Sequence, residues 1–207
     1  MERSSVAPDV RVSALLALLT CVVFANALPN GFVWDDASLI VDNSAIKRVG
    51  NIPTLFSPSW FRDDVVKPAY RPLAYISFAV DYGFWGLRAT GYHATNLLLH
   101  VGSVLALYGF LRGVLECRAA AVLGALVFAV CPLRVEAVTY VKSRDEMLAC
   151  VLLLAGLLLF QRFHRVKEQG GGTSAWPSFG LSMAAFALLP FAKEHGLVFP
   201  ALLTAWV

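Results

Sequence analysis

The stretch ATGYHATNLLLHVGSVLALYGFL, residues 89–111, lies between Arg88 and Arg112 and carries no formal charge. A helix of about 20 residues crosses the ~30 Å hydrocarbon layer of a bilayer. This run has that length, and its reading decides the class of fold. On either side of it, residues 12–34 and 169–192 are equally free of charge. Two shorter uncharged intervals, 119–133 and 147–161, stand between the longer ones and can be extended by polar-tipped turns. A last interval opens at His195 and is still apolar at Val207. The pattern predicts six spans over roughly residues 12–34, 89–111, 119–138, 146–162, 176–192 and 195–207, with a long first loop over 35–88. Composition agrees. Of 207 residues, 58% are hydrophobic and 15% charged, against roughly 45–50% and about 25% in a soluble domain. The expected fold is an all-α polytopic membrane protein. A soluble enzyme, a disordered chain and a nucleic-acid binder are excluded. The net charge of +3 is too balanced for a polyanion partner.

Alternating spans define two sides. The N-terminus, residues 112–118 and residues 161–176 share one side, and their short loops hold Arg112, Arg118, Arg162, Arg165 and Lys167. Basic short loops mark the cytoplasm, so the N-terminus is expected there, with Gly170-Gly171-Gly172 as a flexible linker. Ala25-Asn26-Ala27 has the form of a signal cleavage site, but the preceding region lacks net positive charge, and an uncleaved helix is expected. Cys21, Cys117, Cys131 and Cys150 form no CxxC pair and read as small packing residues. No internal repeat and no nucleotide-binding, zinc-protease or serine-hydrolase motif occurs.

The residues suited to chemistry gather on the second side. Asp35 and Asp36 follow the first span in GFVWDD, residues 31–36. Adjacent carboxylates repel, which raises the apparent pKa of one of them. Such a pair can act as a general base towards an acceptor hydroxyl, bind a divalent cation with Asp42, or cap a short helix from Ala37. No metal site is assigned. In KPAYRPL, residues 67–73, two prolines hold the chain extended and start a helix near Leu73. Its Tyr75, Phe78, Tyr82 and Trp85 fall on one face, which predicts an interfacial helix with a lipid or core stripe. Arg71 suits a lipid phosphate or a salt bridge. His93, Asn96, His100 and Ser103 line one face of the second span and predict hydrogen bonds between helices. CPLRVEAVTYVKSRDE, residues 131–146, places Glu136 and Tyr140 four apart. Lys193, Glu194 and His195 interrupt the last apolar stretch. They read as a functional charge cluster or as an interfacial turn closed by a Lys–Glu pair.

These segments, in this order, resemble the membrane part of the TMTC-like protein O-mannosyltransferases, the branch of the GT-C glycosyltransferases that carries tetratricopeptide repeats. GFVWDD, YRPL, HATNLLLH, CPLRVEAVTYVKSRDEMLAC and AKEHGL carry the likeness, which runs from about Asn26 to the end. It implies a GT-C-like membrane portion of a longer protein, with more helices and then repeats that engage protein acceptors. It also implies transfer of a sugar, such as mannose, from a polyprenyl-phosphate donor to an acceptor hydroxyl outside the cytoplasm, typically with inversion. Asp35 and Asp36 stand where the family's catalytic acid is expected. Chemistry more than motif points to Arg71, Arg134, Arg144 and Lys193 as partners of the donor phosphate, with Glu136 and Glu194 steadying them or the sugar hydroxyls. Many relatives have His-Pro where this chain has Cys131-Pro132, so any donor contact of that histidine is absent or moved. The membrane is expected to be a bacterial inner membrane, which the excess of arginine over lysine favours, or the endoplasmic reticulum. From another class, a transporter or a non-catalytic assembly subunit remains open. A transporter predicts repeated halves and helices broken at the midplane.

Overall fold

The computed structural model describes residues 9–57 and 70–194. The sixth predicted span, together with His195, Lys67 and Pro68, lies outside the described residues. No strand occurs among the described residues. The elements are α1 (Val10–Phe24), α2 (Pro72–Trp85), α3 (Ala89–Val114), α4 (Arg118–Val130), α5 (Val135–Thr139), α6 (Arg144–Glu168) and α7 (Trp176–Ala192), with short 3-10 and π turns between them. Four segments are long and apolar enough to cross a bilayer: Val10–Ala27, Ala89–Val114, Val141–Glu168 and Gly172–Ala192. α4 and the following Pro132–Thr139 qualify together, bent by 49°. The chain is an all-α polytopic membrane protein.

Side-chain ties fix which ends lie together. Asp9 caps α1 through the Arg11 N–H at 2.9 Å and ion-pairs with Arg118 at the start of α4. At the opposite end, Asp36 accepts from the Lys142 N–H just before α6. There too Arg71 joins Asp145 of α6 to Glu194 beyond α7. α3 therefore runs from the Asp36 end to the Asp9 end, and α4 with α5 returns. The described helices make five passes if the bent pair is one of them.

Three predicted boundaries shift. The first uncharged interval reaches Trp34, but the helix closes in a 3-10 turn at Ala25–Ala27. Pro29, Asn30 and Gly31 then lead into a loop. Residues 119–138 form two helices, because Pro132 has no N–H to continue the first. α6 is longer than its apolar run. It starts at Arg144 with Asp145 and Glu146 in its first turn and ends on Arg165 and Lys167, an order that suits the helix dipole.

Of the two faces expected for the aromatic stripe of α2, lipid or core, the structure shows a core face at Tyr75 and Phe78. Tyr75 and Phe78 are 4% and 2% exposed and pack on Ile40, Ile46 and Leu55 of the first loop and on Tyr92. Burying a Phe side chain of this kind contributes about 1.5–3 kcal/mol. The predicted stripe divides, since Tyr82 is half-buried and Trp85 exposed. The first loop thus forms a small cap with its own core over the Asp36 end of α3 and α6. At Gly91 a Cβ would stand 2.3 Å from the Trp85 ring, so only glycine admits the close turn between α2 and α3.

Candidate functional site

The two adjacent acids have different surroundings. Asp36 is fully buried. One carboxylate oxygen accepts from the Val33 N–H at 3.1 Å and the other from the Lys142 N–H at 2.9 Å. It does not cap the turn Ala37–Val41 with its side chain. It binds the loop back on itself and across to the α5–α6 connection. Burial pushes its carboxyl above the ordinary range, against the two backbone N–H groups and His93, which favour the ionised form. Asp35 is exposed, and its backbone N–H donates to the Tyr140 hydroxyl at 3.1 Å. Burial and the two nearby carboxylates push the Tyr140 phenol upward, while the Asp35 N–H opposes them. Trp34, just before the pair, has φ +48 and sets its ring edge-on to Tyr140, with centroids 5.9 Å apart.

The six residues expected at the donor phosphate or sugar have different surroundings. Arg144 is fully buried. Its guanidinium pairs with Asp81 at 2.5 Å and donates to Asn96 Oδ1 and to the Tyr92 carbonyl, both at 2.8 Å. It also lies over the Phe78 ring at 4.8 Å. A phosphate would reach it only by displacing Asp81, so the structure makes Arg144 an interior ion that joins α2, α3 and α6. Arg71 bonds Glu194 through Nε at 3.2 Å and through a terminal nitrogen at 2.6 Å, and it also pairs with Asp145. Lys193 pairs with Glu146 and not with its neighbour Glu194. Arg134 differs. It is half-buried, stands 4.3 Å over the Phe128 ring and makes no ion pair among the described residues. Glu136 is exposed close by.

Arg134 and Glu136 edge a groove of about 630 Å³. Leu107, Gly124, Val127 and Phe128 from α3 and α4 make its apolar part. Arg134, Glu136, Ser143 and Glu146 gather at its polar end. The connection from Pro132 to Ser143 thus touches two places. Leu133, Arg134, Glu136 and Ala137 line the groove, and Tyr140 and Lys142 hold the Asp35–Asp36 loop.

His93, Asn96 and His100 hold the bundle together. His93 Nε2 lies 3.4 Å from the Gly31 carbonyl, and the Asn96 amide donates to the Tyr140 carbonyl at 3.1 Å. His100 Nε2 meets the Ala129 carbonyl at 3.2 Å, the carbonyl that Leu133 would have bonded in an unbroken helix. Among the described residues, no group of three or more His, Cys, Asp or Glu side chains gathers to hold a metal ion. All four cysteines are unpaired.

Sequence reasoning missed three residues. Asp81 had a usable signal, a lone acid inside an apolar helix. Tyr140 was singled out only as a neighbour of Glu136, and Trp34 only as part of the motif.

This chain is similar to several characterised proteins. It is 31% identical over 172 residues to human protein O-mannosyl-transferase TMTC1, covering 80% of this chain and 19% of that protein. It is 30% identical over 188 residues to mouse TMTC3, covering 88% of this chain and 20% of the relative. The chain belongs to the TMTC-like family. Human TMTC4 is 29% identical over 214 residues, covering 94% of this chain and 29% of the relative. The chain spans about a fifth of the length of the first two TMTC relatives. No family profile matches it, and no solved structure matches it.

Proposed function

We propose that this TMTC-like chain carries the acidic site and donor groove of a membrane glycosyltransferase. The enzyme moves a sugar, mannose by the relatives' names, from a polyprenyl-phosphate donor to a Ser or Thr hydroxyl. Asp35 is the base. It takes the acceptor proton as the hydroxyl oxygen attacks the anomeric carbon. The bond from that carbon to the phosphate oxygen breaks, and the electron pair leaves with polyprenyl phosphate. Arg134 receives the phosphate, where a charge-assisted bond is strong beside an apolar wall. The polyprenyl tail lies along Leu107, Gly124 and Val127. Asp36 keeps the loop in place, and Glu136 lies within the reach of sugar hydroxyls.

One observation carries this reading. An exposed carboxylate and an arginine without an ion-pair partner among the described residues both meet the same short connection, residues 132–143, Asp35 through the Tyr140 hydroxyl and Arg134 as part of it. The test is transfer by the full-length protein reconstituted with radiolabelled polyprenyl-phosphate mannose and Ser/Thr peptides. Asp35→Asn is expected to lower turnover by about 10²–10⁴-fold with donor binding kept. Arg134→Met is expected to weaken donor binding. Unchanged transfer in Asp35→Asn would return Asp35 to a loop residue.

A further inference from the structure

Trp34 combines three properties that seldom occur together. Its side chain is 83% exposed. Its backbone sits at φ +48, the only left-handed non-glycine residue among the described residues. A bulky residue adopts that conformation only where the surroundings enforce it. Its ring is also pinned edge-on to Tyr140, at an interplanar angle of 86°. The hydroxyl of that same tyrosine accepts the Asp35 N–H at 3.1 Å. One side chain therefore holds both the ring and the backbone of the neighbouring acid, while the ring stays largely open.

A tryptophan that only anchors the chain at a bilayer surface needs none of this. Such rings sit at the headgroup level by partition alone, with no strained backbone and no fixed angle. The donor groove offers no explanation either, because neither Trp34 nor Tyr140 lines it. Trp34 directly precedes Asp35, the residue that an acceptor must approach. An indole face takes up apolar and prolyl side chains, and it loses little entropy in doing so because two torsions define it.

We propose that Trp34 is the acceptor platform. It binds an apolar or prolyl residue of an extended peptide segment and so sets the adjacent Ser or Thr hydroxyl over Asp35. This rests on the reading of Asp35 as the base and names the acceptor chemistry of that same site.

The probe is a fluorescein-labelled peptide with one threonine between proline and valine. Its binding to the full-length protein in nanodiscs is followed by fluorescence anisotropy, beside the transfer assay with polyprenyl-phosphate mannose. Trp34→Ala is expected to weaken peptide binding and raise the acceptor KM by about tenfold, with the donor KM unchanged. Trp34→Phe keeps most of the affinity. Equal binding by Trp34→Ala and wild type overturns the proposal, as does absence of peptide binding by wild type. A matching rise in the donor KM assigns the ring to the sugar instead. The two readings fail separately. Transfer lost in Asp35→Asn with peptide affinity intact in Trp34→Ala leaves the base and removes the platform. Transfer kept in Asp35→Asn with affinity lost in Trp34→Ala does the reverse.

Discussion

Asp35 and Asp36 are neighbours in sequence, yet one is exposed and the other fully buried. Their position after the first span made them legible as a pair. What separates them was not legible, because the partner of Asp36 is a backbone N–H 106 residues away. Arg144 teaches the same lesson. Its charge near the start of a span marked it for phosphate, but its partner is Asp81 on α2, brought there by the fold of the cap. A buried ion left without its partner is costly, about 3–5 kcal/mol. Arg144→Met is therefore expected to lower stability by that amount, measured by thermal unfolding in detergent. Arg144→Met combined with Asp81→Leu is expected to recover most of it, since removing both charges leaves no orphan. The loop latch predicts a local effect. Asp36→Ala leaves the N–H groups of Val33 and Lys142 without their acceptor, at about 1–3 kcal/mol each. Faster hydrogen exchange at those two amides, with the helices unaffected, is the expected readout.

Uncharged intervals located the helices well, because charge is expelled from hydrocarbon whatever the details of packing. They located the ends poorly. The first interval ran on through a loop, since Pro29, Asn30 and Gly31 end a helix without adding charge. The cap was the least legible element. Tyr75 and Phe78 fit a lipid-facing stripe as well as a buried one, and only the Ile40–Leu55 segment folding over them decides between the two. Helix pairing is where small residues matter. Ser182 on α7 donates to the Gly156 carbonyl of α6 at 2.8 Å, and a Cβ at Gly156 would lie 2.2 Å from the Phe186 ring. Gly156→Ala is expected to cost about 1–3 kcal/mol by overpacking. Cross-linking between cysteines placed on α6 and α7 should report the separation.

Across the whole molecule, the Arg71 tie gathers the first loop, α6 and the end of α7 at one place. The Arg71 guanidinium pulls the Glu194 carboxyl from its ordinary 4.5 to about 2. The folded value lies below the unfolded one, so the stabilisation is complete above pH 4.5 and is lost as pH falls towards 2. Wild type is expected to melt above Glu194→Gln at neutral pH, and the gap should close over that acid window. Asp36 titrates with the opposite sign, because burial raises its folded value. The overall plan was legible because composition and charge placement describe a solvent. The meeting of Asp36 with Lys142 and of Arg71 with Glu194 was not, because it depends on which passes are neighbours. The contact between His100 and the Ala129 carbonyl carries a consequence of its own. The bend after α4 is held from outside, by a ring on another helix that stands in for the missing backbone donor. Replacing Pro132 would supply a donor for the Phe128 carbonyl but would not by itself straighten the chain, because the Ala129 carbonyl that Leu133 would need is already met by His100. The corner that carries Arg134 behaves as a bracket bolted to α3, so a lipid that enters the groove meets a shape settled when the helices assembled.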